Sequence, residues 1–190
     1  MPPTPPDELD EITLARAQRG DERARRVLVE RYQRPVFALL SRMLYGRGGA
    51  VVEDLAQETF LRVFRALPGF DRRGAARLST WILTIASRLA IDELRRKRPP
   101  SDPLDPASEP ASDSAADEVA ERERLGALLR RAIDDLPPEF RAAFLLREYH
   151  ELEYAEIADN LKVDLGTVKS RLSRARAALR RALEEVYRAR

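Results

Sequence analysis

The sequence predicts an all-α protein made of two small helical domains joined by a flexible acidic linker. The first observation behind this is periodicity: on both sides of the linker, apolar residues recur at three- and four-residue steps. The second is the stretch from Pro99 to Glu121, which holds seven acidic residues and no basic one. The third is charge distribution. Arg72 to Arg98 holds eight basic and two acidic residues, and Lys162 to Arg190 nine basic and three acidic. The overall charge of +2 hides two positive lobes on a negative strap, as expected of two polyanion-facing surfaces on separate domains.

The elements follow in order. Ile12, Leu14 and Ala17 lie in a first short helix that ends at Gly20. Asp21 caps a second helix, with Ala24, Val27, Leu28, Tyr32, Val36, Leu39, Leu40 and Met43 at helical steps. Pro35 lies inside that pattern, so a kink or restart is expected there. Gly46, Gly48 and Gly49 mark a loop. Val52 to Leu67 form the next helix, which Pro68-Gly69 end. Phe70 to Arg77 read as irregular. Leu78 to Arg96 form a further helix, with Trp81, Ile82, Ile85, Leu89 and Leu94 on its buried side. The first domain therefore spans 9–98.

PPSDPLDPASEPASDSAADE cannot bury enough apolar surface to offset its ordering entropy, and its prolines favour extended chain. Residues 99–115 read as linker, with helix resuming near Ala115 or Ala116. The second domain spans 116–188.

Within it, Tyr154 to Leu183 read as a short helix, a tight polar turn and a longer basic helix. That is the layout of a helix-turn-helix. Leu165, Val168, Leu172, Ala175 and Leu179 form one stripe, which should pack on Ile157, Ala158 and Leu161. The opposite face carries Ser170, Ser173, Arg174, Ala177 and Arg181, flanked by Thr167 and Lys169. Small residues let a helix sit deep in a groove, and Lys and Arg reach phosphates or guanine edges. Asp164 is placed to cap the helix. Gly166 removes bulk where a phosphate backbone can pass. A basic, merely solvated surface helix is the plainer alternative.

The Val52 helix has a second notable face. Ala56, Phe60, Val63 and Leu67 point to the core, while Asp54, Gln57, Glu58, Leu61 and Arg65 point away. That mixture fits a protein-docking surface as well as an ordinary solvated face.

Composition bounds the function. The 190 residues suffice for two small domains, and 44% of them are hydrophobic. The chain has no Cys and one His, and no phosphate-cradling Gly loop. No enzyme activity, cofactor or metal is expected, and His150 is expected at a turn in solvent. MPPTPPDELDE has neither the basic start nor the apolar run of a secretory leader, and no stretch approaches a membrane span. A soluble, cytoplasmic chain without membrane insertion is expected.

VEDLAQETFLRVFRALPGF, then LSTWILTIASRLAIDELRRKR, then LPPEFRAAFLLREYHELEYAEIADNL and GTVKSRLSRARAALRRAL resemble the extracytoplasmic-function group of bacterial RNA polymerase sigma factors. The first two blocks resemble the family's region two, a helical bundle. The third and fourth resemble its region four, a helix-turn-helix. The resemblance implies an alternative sigma factor that binds core RNA polymerase and directs initiation at promoter DNA. It implies that Asp54, Gln57, Glu58 and Leu61 dock on the beta-prime clamp helices, and that the beta flap is a further contact. Phe70, Arg72, Arg73, Arg77 and Arg88 would serve the minus-ten strand, where a base is flipped from the stack. Trp81 lies on its helix's apolar stripe and reads as structural. Thr167, Lys169, Ser170, Arg171, Ser173 and Arg174 would read the minus-thirty-five element, with Arg171 reaching phosphate. The linker would thread toward the polymerase active-site channel. An anti-sigma factor is implied as a partner, with nucleoid association in holoenzyme and retention at the membrane through that factor. Arg88 stands where many members have Asn, Leu78 where they have an aromatic residue, and the segment FDRRGAARLSTW is longer than the common form. The alternative from another class is a stand-alone helix-turn-helix regulator, though no dimerisation helix is spare.

Overall fold

The computed structural model describes residues 8–72, 77–96 and 114–188, and among them holds α-helices, one short 3-10 turn and no strand. The order is α1 (Glu11–Gln18), α2 (Glu22–Met43), α3 (Gly49–Ala66), the turn Leu67–Gly69, and α4 (Leu78–Arg95). Then come α5 (Ser114–Asp134), α6 (Pro138–Glu148), α7 (Tyr154–Leu161) and α8 (Leu165–Arg188).

Local chemistry explains most of the boundaries. Asp10 starts α1 by accepting from Thr13 N at 2.8 Å, and Asp21 starts α2 by accepting from Ala24 N at 2.8 Å. Each satisfies one of the donors that a helix start leaves without an intrahelical partner. Gly20, with φ +93, turns the chain between them. The loop expected at three glycines is shorter than read: Gly46 and Gly48 have positive φ, but Gly49 already begins α3.

Pro35 does not restart α2. The helix runs through it, and Pro35 lies buried with Val36, Leu39 and Leu40. Tertiary packing overrides the local penalty, because α2 is the central rod and touches α1, α3, α4 and α6. Its Tyr32 is almost fully buried; the hydroxyl accepts from Leu9 N at 3.2 Å, and burial pushes the phenol up to about 12.

The two halves do not sit apart. α6 and α7 pack on α2 and α4, and one continuous apolar cluster runs from Leu9 to Leu179. Arg141, 4% exposed, bridges the halves. It donates to Met43 O at 2.6 Å and to Leu136 O at 3.2 Å, and pairs with the Asp134 carboxylate. Burial raises the Asp134 carboxyl against the pull of Arg141. The linker expected at 99–115 lies outside the described residues up to 113, and α5 begins at Ser114.

His150 corrects one expectation. It occupies the turn after α6, but it is half-buried there, with Nε2 buried and without a hydrogen-bond partner. Burial first, then the Arg42 charge, pulls its pKa down to about 4. The missing signal is tertiary: Arg42, from α2, lies over the Tyr149 ring at 4.5 Å and brings its charge near the imidazole.

Candidate nucleic-acid interface

The second half builds its surface on α7 and α8. Glu156 closes the start of α7 by accepting from Glu153 N at 2.8 Å. The helix ends at Lys162, which is left-handed at φ 54. Val163 N bonds back to Ala158 O at 3.0 Å, and the chain turns at once into α8. Asp164 caps α8 as expected, accepting from Thr167 N at 2.8 Å and Thr167 Oγ1 at 2.6 Å. Those bonds hold its carboxyl below the usual range.

Val168, Leu172, Ala175 and Leu179 are buried in the same core as Ile157 and Ala158, with α8 packed on α5, α6 and α7. Each large member is worth about 1.5–3 kcal/mol, enough to fix which side of α8 faces out. Leu165 departs from the expected stripe at 48% exposed. Gly166 also has a reason within the fold. A Cβ there would lie 2.9 Å from the capping oxygen of Asp164.

The outward face is as read from the sequence. Lys169, Ser170, Ser173 and Arg174 are exposed, while Thr167 and Arg171 are half-buried. Arg171 lies near enough to Glu139 to help lower its carboxyl, where burial pulls the other way and the Arg95 bond prevails. Beside this face runs an open groove of about 320 Å³ lined by Tyr154, Lys169, Ser173, Arg176, Ala177 and Arg180. The sequence reading missed Tyr154, Arg176 and Arg180. Arg176 is pinned by Glu148 at 2.6 Å, a contact between residues far apart in sequence.

In the first half, Asp54, Gln57 and Leu61 are exposed together along α3. Glu58 joins them, partly covered and paired with Arg62 at 2.7 Å. Leu61 is 50% exposed, while Ala56, Phe60, Val63 and Leu67 are buried.

Phe70 stacks on Trp81 with centroids 5.0 Å apart at 40°. Gln18 Nε2 donates to Leu67 O at 3.1 Å and Phe70 O at 2.8 Å, tying this corner to α1. Arg72 and Arg77 are exposed, and Arg73 lies outside the described residues. Arg88 is elsewhere: it turns away from that corner toward the end of α7. The sequence also failed to show that α4 is buried over a wide arc, including Thr80, Ser87 and Glu93. Its hydroxyls at 80, 84 and 87, one helical face, were the available signal.

Among the described residues no cluster of three or more metal-ligating side chains occurs, and no helix is long and apolar enough to cross a membrane.

The sequence profile described as Sigma-70 region 2 matches residues 28–99, and that described as Sigma-70, region 4 matches 126–179. The RNA polymerase sigma-H factor of Pseudomonas aeruginosa is 36% identical over 191 residues, covering 95% of this chain and 97% of that protein. The ECF RNA polymerase sigma-E factor of Escherichia coli is 36% identical over 189 residues, covering 94% and 96%. Among solved structures, CnrH in complex with the cytosolic domain of CnrY superposes with a TM-score of 0.66 at 25% identity, covering 93% and 97%. RpoE of Bartonella quintana, in complex with the anti-sigma factor NepR, shares the fold with a TM-score of 0.62 at 21% identity, covering 84% and 96%.

Proposed function

The chain belongs to the extracytoplasmic-function group of the sigma-70 family and is an alternative RNA polymerase sigma factor; from that premise we propose how its surfaces divide the work of starting transcription. The comparisons favour this over a stand-alone helix-turn-helix regulator. The proposed labour is binding, with no covalent chemistry, cofactor or metal.

The α3 face of Asp54, Gln57, Glu58 and Leu61 docks on the beta-prime clamp helices of core polymerase. A half-exposed leucine ringed by polar groups suits such an interface, since it gives an apolar anchor with a hydrated rim. The beta flap meets the second half. Phe70, Arg72, Arg73 and Arg77 take the melted minus-ten strand, with Trp81 as the structural backing of Phe70. Arg88 can join them only after leaving α7.

On α8, Lys169, Ser170, Ser173 and Arg174 enter the major groove at the minus-thirty-five element. Thr167 flanks them, and Arg171 reaches phosphate from the helix's edge. Arg176 and Arg180, with Tyr154, offer a track for the phosphate backbone along the adjoining groove. Phosphate contacts position the helix and base contacts specify.

Because polymerase would hold both surfaces in register, each can be weak alone and still act through effective concentration. An anti-sigma factor is proposed as the third partner, and the cytoplasm as the compartment, with the nucleoid or a membrane-held inhibitor as the two resting places. The linker at 99–115 is proposed to run toward the polymerase active-site channel.

One observation carries the reading: α8 presents a small, basic, exposed face over an apolar one buried at Val168, Leu172, Ala175 and Leu179. Run-off transcription with core polymerase over a library of promoter elements tests it. Promoter-specific transcripts that need both elements are expected. No affinity for core polymerase, or transcripts indifferent to both elements, would overturn it.

A further inference from the structure

We infer that the outer face of α2 is a self-complementary docking strip for a second copy of this chain, set antiparallel about the level of Tyr32. The inference stands on α2 alone and is independent of the initiation reading.

Spacing and exposure together define the strip. Arg23, Val27, Glu30, Arg34, Phe37 and Ser41 follow one another by four and three residues in turn, so they form one line along the helix. All six are exposed. They lie opposite the side of α2 that buries Leu28, Tyr32, Val36 and Leu39. Helical steps alone place Val27 with the core positions, yet it is 40% exposed, and Phe37 is 38% exposed. Single exposed apolar side chains are ordinary on a protein surface, so the informative feature is the order of the six.

That order is symmetric. Glu30 and Arg34 stand two residues either side of Tyr32, Val27 and Phe37 five, and Arg23 and Ser41 nine. A twofold axis crossing α2 at this level sets Val27 against the partner's Phe37 and Glu30 against the partner's Arg34, and each pairing occurs twice. A parallel pair would instead oppose Glu30 to the partner's Glu30 and Arg34 to the partner's Arg34, so charge selects the antiparallel arrangement. Within one chain Glu30 and Arg34 have a spacing that suits an ion pair. Among the described residues neither is held in one, so both charges remain for a partner.

The strip is small. Six residues a side fall well short of the roughly 20–30 a side of a standard stable interface. Arg31 borders the strip near the axis and faces its own copy, which weakens the pairing further. The result is a reversible dimer that forms at high concentration of the free chain.

Sedimentation equilibrium of the full chain without polymerase, from about 1 μM to about 500 μM, tests this. The parent should pass reversibly from monomer to dimer with a dissociation constant of about 10–100 μM, and Phe37→Asp should weaken it at least about tenfold. Glu30→Arg and Arg34→Glu, each alone, oppose like charges twice and should stay monomeric. An equimolar mixture of the two should dimerise again, as should the double exchange, which a folding defect would not do. The chain has no native cysteine, so register is read by disulfide formation. Arg23→Cys mixed with Ser41→Cys should link, and neither should link to its own kind, because like positions lie about 27 Å apart along antiparallel helices. A parent that stays monomeric, an unchanged constant in Phe37→Asp, a mixture that fails to pair, or cysteine chains that link to their own kind or not at all would each overturn the strip.

Discussion

Helices α4 and α8 both carry basic and hydroxyl side chains, and the fold treats them in opposite ways. On α8 the apolar stripe is buried and the polar face meets solvent. On α4 the apolar side is buried in the first half, and the polar side is buried against the second. The same residue types therefore mean different things. Ser173 on α8 is exposed and open to a ligand, whereas Ser87 on α4 is buried and already bonded to Asn160. An amphipathic pattern tells where one partner lies, and only the tertiary fold tells whether a second partner has taken the other face.

The sharpest way to break this comparison is to strip the free face of α8. Lys169→Ala with Arg174→Ala should lower minus-thirty-five-dependent transcription about a thousandfold, from two groove contacts of about 1–3 kcal/mol each, with core binding unchanged in a pull-down. Equal loss of both would contradict the assignment. The seam between the halves holds Arg141, whose replacement by Ala leaves the Met43 carbonyl without this donor and the Asp134 carboxylate to water. A loss of about 1–3 kcal/mol is expected in chemical denaturation, and a loss well under about 1 kcal/mol would show that this bridge carries little.

The same seam has a pH signature. His150 is held neutral, with a folded pKa of about 4 against 6.5 in the unfolded chain. Above pH 6.5 both states are neutral and the group contributes no pH dependence. Between pH 6.5 and 4 the unfolded state takes the proton first, so stability should fall by up to about 3 kcal/mol, then level off. His150→Gln should flatten that window in urea titrations, and an unchanged slope would sink the assignment. The smallest effect sharpens the α8 side. Asp164→Ala should lower the Tm slightly through loss of the cap, and an unchanged Tm would show that the cap contributes little.

Most of the scaffold was legible from local rules. The caps at Asp10, Asp21 and Asp164 follow the N-cap pattern, though only the last two were read from sequence. The buried positions Ala56, Phe60 and Val63 of α3, with Leu67 just after it, and the outward face of α8 followed from helical spacing. What stayed hidden depends on contacts between residues far apart along the chain. The passage of α2 through Pro35 needed neighbours on several sides. The lowered pKa of His150 needed burial in the fold and the Arg42 charge from α2, and the groove beside α8 needed Glu148 to set Arg176. Arg88 was read as a strand-binding cation because its charge is visible in the sequence, while the carbonyls that receive it are not.

Glu156 ties two events together. One of its oxygens accepts from Glu153 N and starts α7, while the other accepts from Thr80. At the far end of the same short helix, Arg88 supplies donors to the terminal carbonyls. Separation of the halves thus removes support from both tips of α7 at once. Amide hydrogens of α7 should therefore exchange faster in a variant in which these contacts with α4 have been removed, and unchanged exchange would show that the helix stands without them.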